Sequence, residues 1–289
     1  MKRFSILLFT LLVGTQVAAQ QGSDIYLFNF KIDQNHFTLS NARNITNSPG
    51  YDNQPYFMPD GKSLLYSSDD GFGQTDIYRY YIEGQNERRL TFTPNSEYSP
   101  TVMPDGENFS CVILERNGDQ YLWKYPIHGA IPRKVTAINN IGYHCWINKD
   151  NLGLYIVGEP NTVDMVNLAS NETKTITNTP GITLITAPDK GNMLTYADLT
   201  DEHHWYIKEF NIDTKESVTV IETLKKSQYY TWTPSGILLA GDGKRIYKFD
   251  PKQDTEWIEL ANLGDYGIKE FTRLAVSPKG DMLAVVVSE

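Results

Sequence analysis

Residues 55–84 read PYFMPDGKSLLYSSDDGFGQTDIYRYYIEG, and residues 100–129 read PTVMPDGENFSCVILERNGDQYLWKYPIHG. Both stretches start with proline, turn on Pro-Asp-Gly and break into two β-rich runs. Pro presets φ for a tight turn and Gly accepts positive φ, so each Pro-Asp-Gly links two antiparallel strands. The same turn recurs at Pro59, Pro104, Asn148, Pro188, Pro234 and Pro278, at spacings of 45, 44, 40, 46 and 44 residues. A period of this length marks a repeat architecture.

Each unit has a second half. An aromatic strand follows a polar loop, as in DIYRYYI at 76, QYLWKYPI at 120, HWYIKEFNI at 204 and RIYKFDP at 245. A short fourth strand ends near Thr, as in ERRLT at 87 and PRKVT at 132. Four short strands per unit describe a propeller blade, and six units predict an all-β, six-bladed β-propeller with four-stranded antiparallel blades. Pro55 and Pro100 fall in first strands, where the innermost edge needs no ladder donor.

The ends of the chain complete the ring. The sixth unit supplies two strands before Glu289, and SDIYLFNF at 23 with ARNITNSPG at 42 carries the missing third- and fourth-strand patterns. The N-terminal strands are therefore expected to close the last blade against the C-terminal strands, leaving no open edge.

Residues 1–19 stand apart. MKR, the apolar FSILLFTLLVG and the small residues of TQVAA read as a cleavable signal peptide. The apolar run is shorter than a membrane span requires, and no cysteine follows it to carry a lipid anchor. Residues 20–289 then form a single exported propeller, periplasmic or secreted, with no stable membrane span and expected as a monomer. Without Lys2 and Arg3 the mature chain has 24 basic and 35 acidic residues, a net charge of −11. Such a surface repels phosphate backbones, which argues against a nucleic-acid partner. Cys111 and Cys145 lie inside apparent strands and read as buried free thiols.

The pattern PYFMPDGKSLLYSSDDGFGQTDIYRY resembles the WD-like propeller repeat of the TolB type, from about residue 23 to the end. The resemblance implies a six-bladed propeller without the N-terminal domain that accompanies it in TolB, and a role in binding proteins or peptides of the cell envelope. The same repeat precedes the catalytic domain of prolyl-oligopeptidase-like enzymes, but this chain ends at the last blade.

Catalytic signatures are absent. There is no G-x-S-x-G elbow and no H-E-x-x-H helix. Asp69, Asp70 and Asp76 miss the spacing of a calcium loop and read as turn residues. His203 and His204, adjacent at the start of an expected third strand, would point to opposite faces. The residues just before the first strands are read as Gln54, Ser99, Tyr143, Gly181, Gln228 and Glu270. Lactonase-like propellers hold a metal in the channel and some polysaccharide lyases use histidines there, with ligands converging from several blades, and this set is thin in such ligands. No catalytic residue, metal ligand or cofactor is assigned.

The candidate site is a partner-binding surface on the long-loop face at the channel mouth. It comprises Glu97, Tyr98, Tyr143, His144, Tyr229 and Glu270, with the aromatics as anchors and the acids as orienting acceptors. The alternative is a carbohydrate- or lactone-active enzyme with a channel metal.

Overall fold

The computed structural model describes residues 22–288 apart from 33–36, 70, 129–130 and 189. The expected signal segment, and Asp70 of the acidic loop, therefore lie outside the described residues.

Among the described residues, twenty-four strands form six antiparallel sheets of four. Blade one runs Asp52–Phe57, Ser63–Asp69, Thr75–Tyr81 and Asn86–Arg89. Blade two runs Ser96–Val102, Asn108–Leu114, Gln120–Pro126 and Arg133–Lys134. Blade three occupies Ile141–Trp146, Asn151–Ile156, Thr162–Asn167 and Glu172–Thr177. Blade four occupies Pro180–Thr186, Met193–Asp198, Tyr206–Asn211 and Ser217–Glu222, and blade five Tyr230–Trp232, Leu238–Asp242, Arg245–Phe249 and Ile258–Asn262. Blade six joins both ends of the chain, with Phe271–Val276 and Met282–Ser288 followed in the sheet by Ser23–Ile32 and Phe37–Asn44. At this seam Ser23 pairs with Ser288 and the ladder continues to Asn29 opposite Met282. The expected closure is present.

Burial peaks at the second strand of a blade and falls toward the fourth. Ser63–Ser67 and Phe109–Ile113 on second strands are buried without alternation, because neighbouring blades cover both faces of the sheet. Fourth strands such as Asn86–Arg89 are mostly exposed and polar. Apolar side chains gather into six clusters, each shared by two successive blades. Leu64 and Tyr66 of blade one meet Ile25, Leu27 and Val286 of blade six, and Phe271 of blade six meets Leu239 and Ile246 of blade five. Fully burying one such side chain stabilises by roughly 1.5–3 kcal/mol. The core is thus distributed around the ring, one portion per interface.

Two turn glycines behave as Pro-Asp-Gly requires: Gly61 and Gly106 both sit at φ +69°. Cys111 and Cys145 are buried free thiols. His203 and His204 precede the strand that starts at Tyr206, a shift explained by Asp201, whose carboxylate accepts both of their backbone N–H groups and caps a turn. In the acidic loop, Asp69 accepts from the N–H groups of Gly71 and Gly73, and Asp76 pairs with Arg89 at 2.6 Å.

Candidate functional site

The first strands of all six blades line a central channel of about 750 Å³. At its mouth the residue five positions before each turn position contributes one side chain: Gln54, Ser99, Tyr143, Thr183, Tyr229 and Arg273. These are the pseudo-equivalent positions of the ring. Gln54 and Ser99 sit at positive φ, 58° and 55°, and the strand registers shift beside them. A bulge of this kind re-aims side chains without ending the strand. Pairing therefore continues past it, and Glu97, Tyr98, Tyr143 and His144 lie within first strands rather than on loops.

Arg273 dominates the mouth. It comes from blade six and reaches Tyr143 of blade three, on the opposite side of the ring, donating from Nη2 to the phenol oxygen at 3.1 Å. Its guanidinium carbon lies 5.3 Å from the Tyr143 ring centre and 5.0 Å from that of Tyr229, inside the range of a cation–π contact. Tyr51 adds a third phenol near the guanidinium; burial holds its pKa above the ordinary tyrosine value, with Arg273 acting to lower it. No Asp or Glu is among the described residues lining the channel.

The six expected site residues divide. Tyr143 and Tyr229 line the mouth and meet through Arg273. Tyr98 is set back: its hydroxyl is 3.2 Å from Thr75 and its ring packs edge-on against Tyr51. Glu270 is exposed at the entry to its strand and does not line the channel.

Glu97 is a correction. It is wholly buried between blades, where Thr93 and Thr91 hydrogen-bond its carboxyl, and burial pushes its pKa up to about 7. The same clasp recurs one blade earlier. There Asp52 accepts from Ser48 at 2.5 Å, while Asp24, Thr46 and Ser48 repeat the arrangement of Asp76, Thr91 and Thr93. Asp52 and Glu97 each lie seven residues before their turn proline. This recurrence makes Glu97 a blade-to-blade fastener.

His144 is also turned away from a ligand role. Its Nε2 is 2.7 Å from Ser110 Oγ, which also accepts from Trp146 Nε1 at 2.8 Å. A serine–histidine contact invites a nucleophile reading, and three observations oppose it. Ser110 is wholly buried. Nδ1 of His144 has no partner and so no orienting carboxylate. Finally, Trp232 makes the same contact to Thr195 at 3.2 Å in blades four and five. Burial alone lowers the His144 pKa to about 3, so the imidazole is neutral.

The alternative of a channel metal can be tested on the donors present. His144 and Cys145 are the only imidazole and thiol on the channel wall among the described residues, and both are buried. No group of three His, Cys, Asp or Glu converges anywhere among the described residues. This donor set does not fit a channel metal.

Arg273 and Thr183 escaped the sequence reading. The usable signal was the constant five-residue offset from each turn, which the irregular strand starts obscured. Gln54, besides lining the mouth, fastens blades one and two by accepting from Ser67 and from the Ser99 N–H, and Gln228, which does not line the channel, accepts from the Ile182 N–H.

No family model matches the chain. A 45-residue segment is 47% identical to the Tol-Pal system protein TolB of Bordetella pertussis, covering 16% of this chain and only 10% of that relative's length. Among solved structures, one assigned to TolB from Agrobacterium tumefaciens superposes with TM-score 0.70 at 17% identity, over 94% of this chain and 99% of the other. An oligogalacturonate lyase in complex with manganese superposes with TM-score 0.61 at 12% identity, over 94% and 98%. At these identities the structural likeness carries the fold. The blade count and the seam make the chain a six-bladed β-propeller, and one 45-residue segment of it is similar in sequence to TolB.

Proposed function

We propose that this chain is an exported, non-enzymatic propeller that binds a protein or peptide partner of the cell envelope at its channel mouth. One observation carries the reading: the mouth presents Tyr143, Tyr229 and Arg273 around an open channel whose described lining has no carboxylate. Tyrosine and arginine are the residue types that dominate binding energy at protein interfaces, since each offers a large contact area and a polar group. The segment matching a Tol-Pal system protein supports an envelope setting. The N-terminal segment, read as an export signal, supports the same compartment.

The deciding experiment is a pull-down from envelope extract with wild type and a Tyr143→Ala, Tyr229→Ala double variant. The variant is expected to keep its circular dichroism spectrum and to lose the captured protein by at least about tenfold, as loss of two interface anchors implies. Undiminished capture by the folded variant would move the site off this face. Intact-mass analysis of the purified protein should show a chain starting at Gln20; an uncleaved N-terminus would overturn the export reading.

A channel enzyme with a bound metal is the competing reading; the likeness to the manganese-bound lyase carries only the fold, and the donors among the described residues do not converge on a metal. Elemental analysis after purification separates the two. Stoichiometric calcium, manganese or zinc would displace the binding reading.

A further inference from the structure

The lone guanidinium at the mouth narrows the class of partner. Arginine has five N–H donors in a fixed fork. Arg273 uses one on Tyr143, and among the described residues it has no carboxylate partner. Tyr143 and Tyr229 hold the group in place across the channel. A half-buried cation without a counter-charge is costly when merely structural, and a held guanidinium fork matches a carboxylate bidentately.

We propose that Arg273 reads a single carboxylate side chain, Asp or Glu, of a peptide segment entering the channel mouth. This rests on the peptide-binding reading above and names the group recognised. Two observations favour one carboxylate over an acidic tract or an acidic polysaccharide. The chain as a whole is negative, −9, so it repels polyanions at long range and leaves recognition to short-range geometry. An oligouronate carries a carboxylate on every ring, whereas the described channel wall offers one guanidinium among mostly aromatic, Pro, Thr and aliphatic side chains. A peptide with one acid and apolar neighbours matches both the fork and the walls.

The test is a library of capped hexapeptide amides, free of terminal carboxylates, screened against wild type and Arg273→Met. Calorimetry then follows the best binder and its counterpart with the acid replaced by its amide. Wild type is expected to select peptides containing Asp or Glu and to bind the amide counterpart at least about tenfold more weakly, as loss of a charge-assisted pair predicts. Arg273→Met is expected to keep its fold and to lose that preference, and Arg273→Lys to recover it only in part. Peptides bound without an acid preference, or a preference that survives Arg273→Met, would overturn the inference while leaving peptide binding intact. No peptide bound by folded wild type would sink both. Digalacturonate bound in place of peptides would show that the fork reads a sugar acid and would overturn the peptide assignment.

Discussion

Burial pushes the Glu97 carboxyl up to about 7, with Asp76 adding to the shift and Thr93, Thr91 and Arg89 opposing it. Between its ordinary value of 4.5 and 7 the folded chain holds a proton that the unfolded chain has released. Rising pH therefore withdraws stability across that window, and the loss is complete above 7. His144 acts with the opposite sign. Its folded pKa is near 3 against an ordinary 6.5, so its contribution is present above 6.5 and is lost as pH falls. The two effects oppose each other in the wild type, and the difference between variants isolates one of them. Glu97→Gln is expected to gain stability relative to wild type as pH rises from 4.5 to 7, by on the order of 1–3 kcal/mol. Melting curves at intervals of one pH unit check this, and a difference independent of pH would place Glu97 outside the clasp. At this scale the sequence was a poor guide. Glu97 and Arg273 both belong to first strands, and only their neighbours make one a buried fastener and the other a presented cation.

Turns and strands differ in how much of their chemistry is local. Gly61 is at φ +69° and nothing lies within 4 Å of the place its Cβ would occupy. Gly61→Val should therefore cost about 1 kcal/mol from backbone strain alone, with no effect at the channel mouth. Gly241, in the second strand of blade five, is limited by space instead: an added Cβ would stand 2.5 Å from the Phe271 ring of blade six. Gly241→Ala is expected to destabilise by more, about 2–3 kcal/mol, through forced repacking of that interface. Urea unfolding of both variants gives the comparison, and equal costs would refute the proposed clash. The first glycine is legible in Pro-Asp-Gly because a turn is a property of consecutive residues. The second is not, since LLAGD contains no trace of the ring it faces.

Closure belongs to the whole molecule. Deleting residues 20–46 removes two strands of blade six and uncovers Met282–Ser288, an apolar strand that pairs with Ser23–Ile32 in the intact ring. The exposed ladder and the vacated apolar surface of Ile25 and Leu27 should drive association. Size exclusion with light scattering is expected to show aggregates where the full chain gives one small species. A monomeric truncation with an unchanged melting temperature would mean that the ring does not depend on this seam.

The repeat of turn, strand and aromatic run determined the propeller, its six blades and its seam. Five blades are specified by residues adjacent in the chain and the sixth by two adjacent runs at its ends, and repetition makes the pattern visible without any contact being known. The mouth was decided by tertiary structure. Its six positions are about 45 residues apart, a bulge re-aims the chain at two of them, Gln54 and Ser99, and Tyr143 meets Arg273 only because blades three and six face each other across the ring. A side chain's role there depends on what stands opposite it, and sequence proximity carries no record of that.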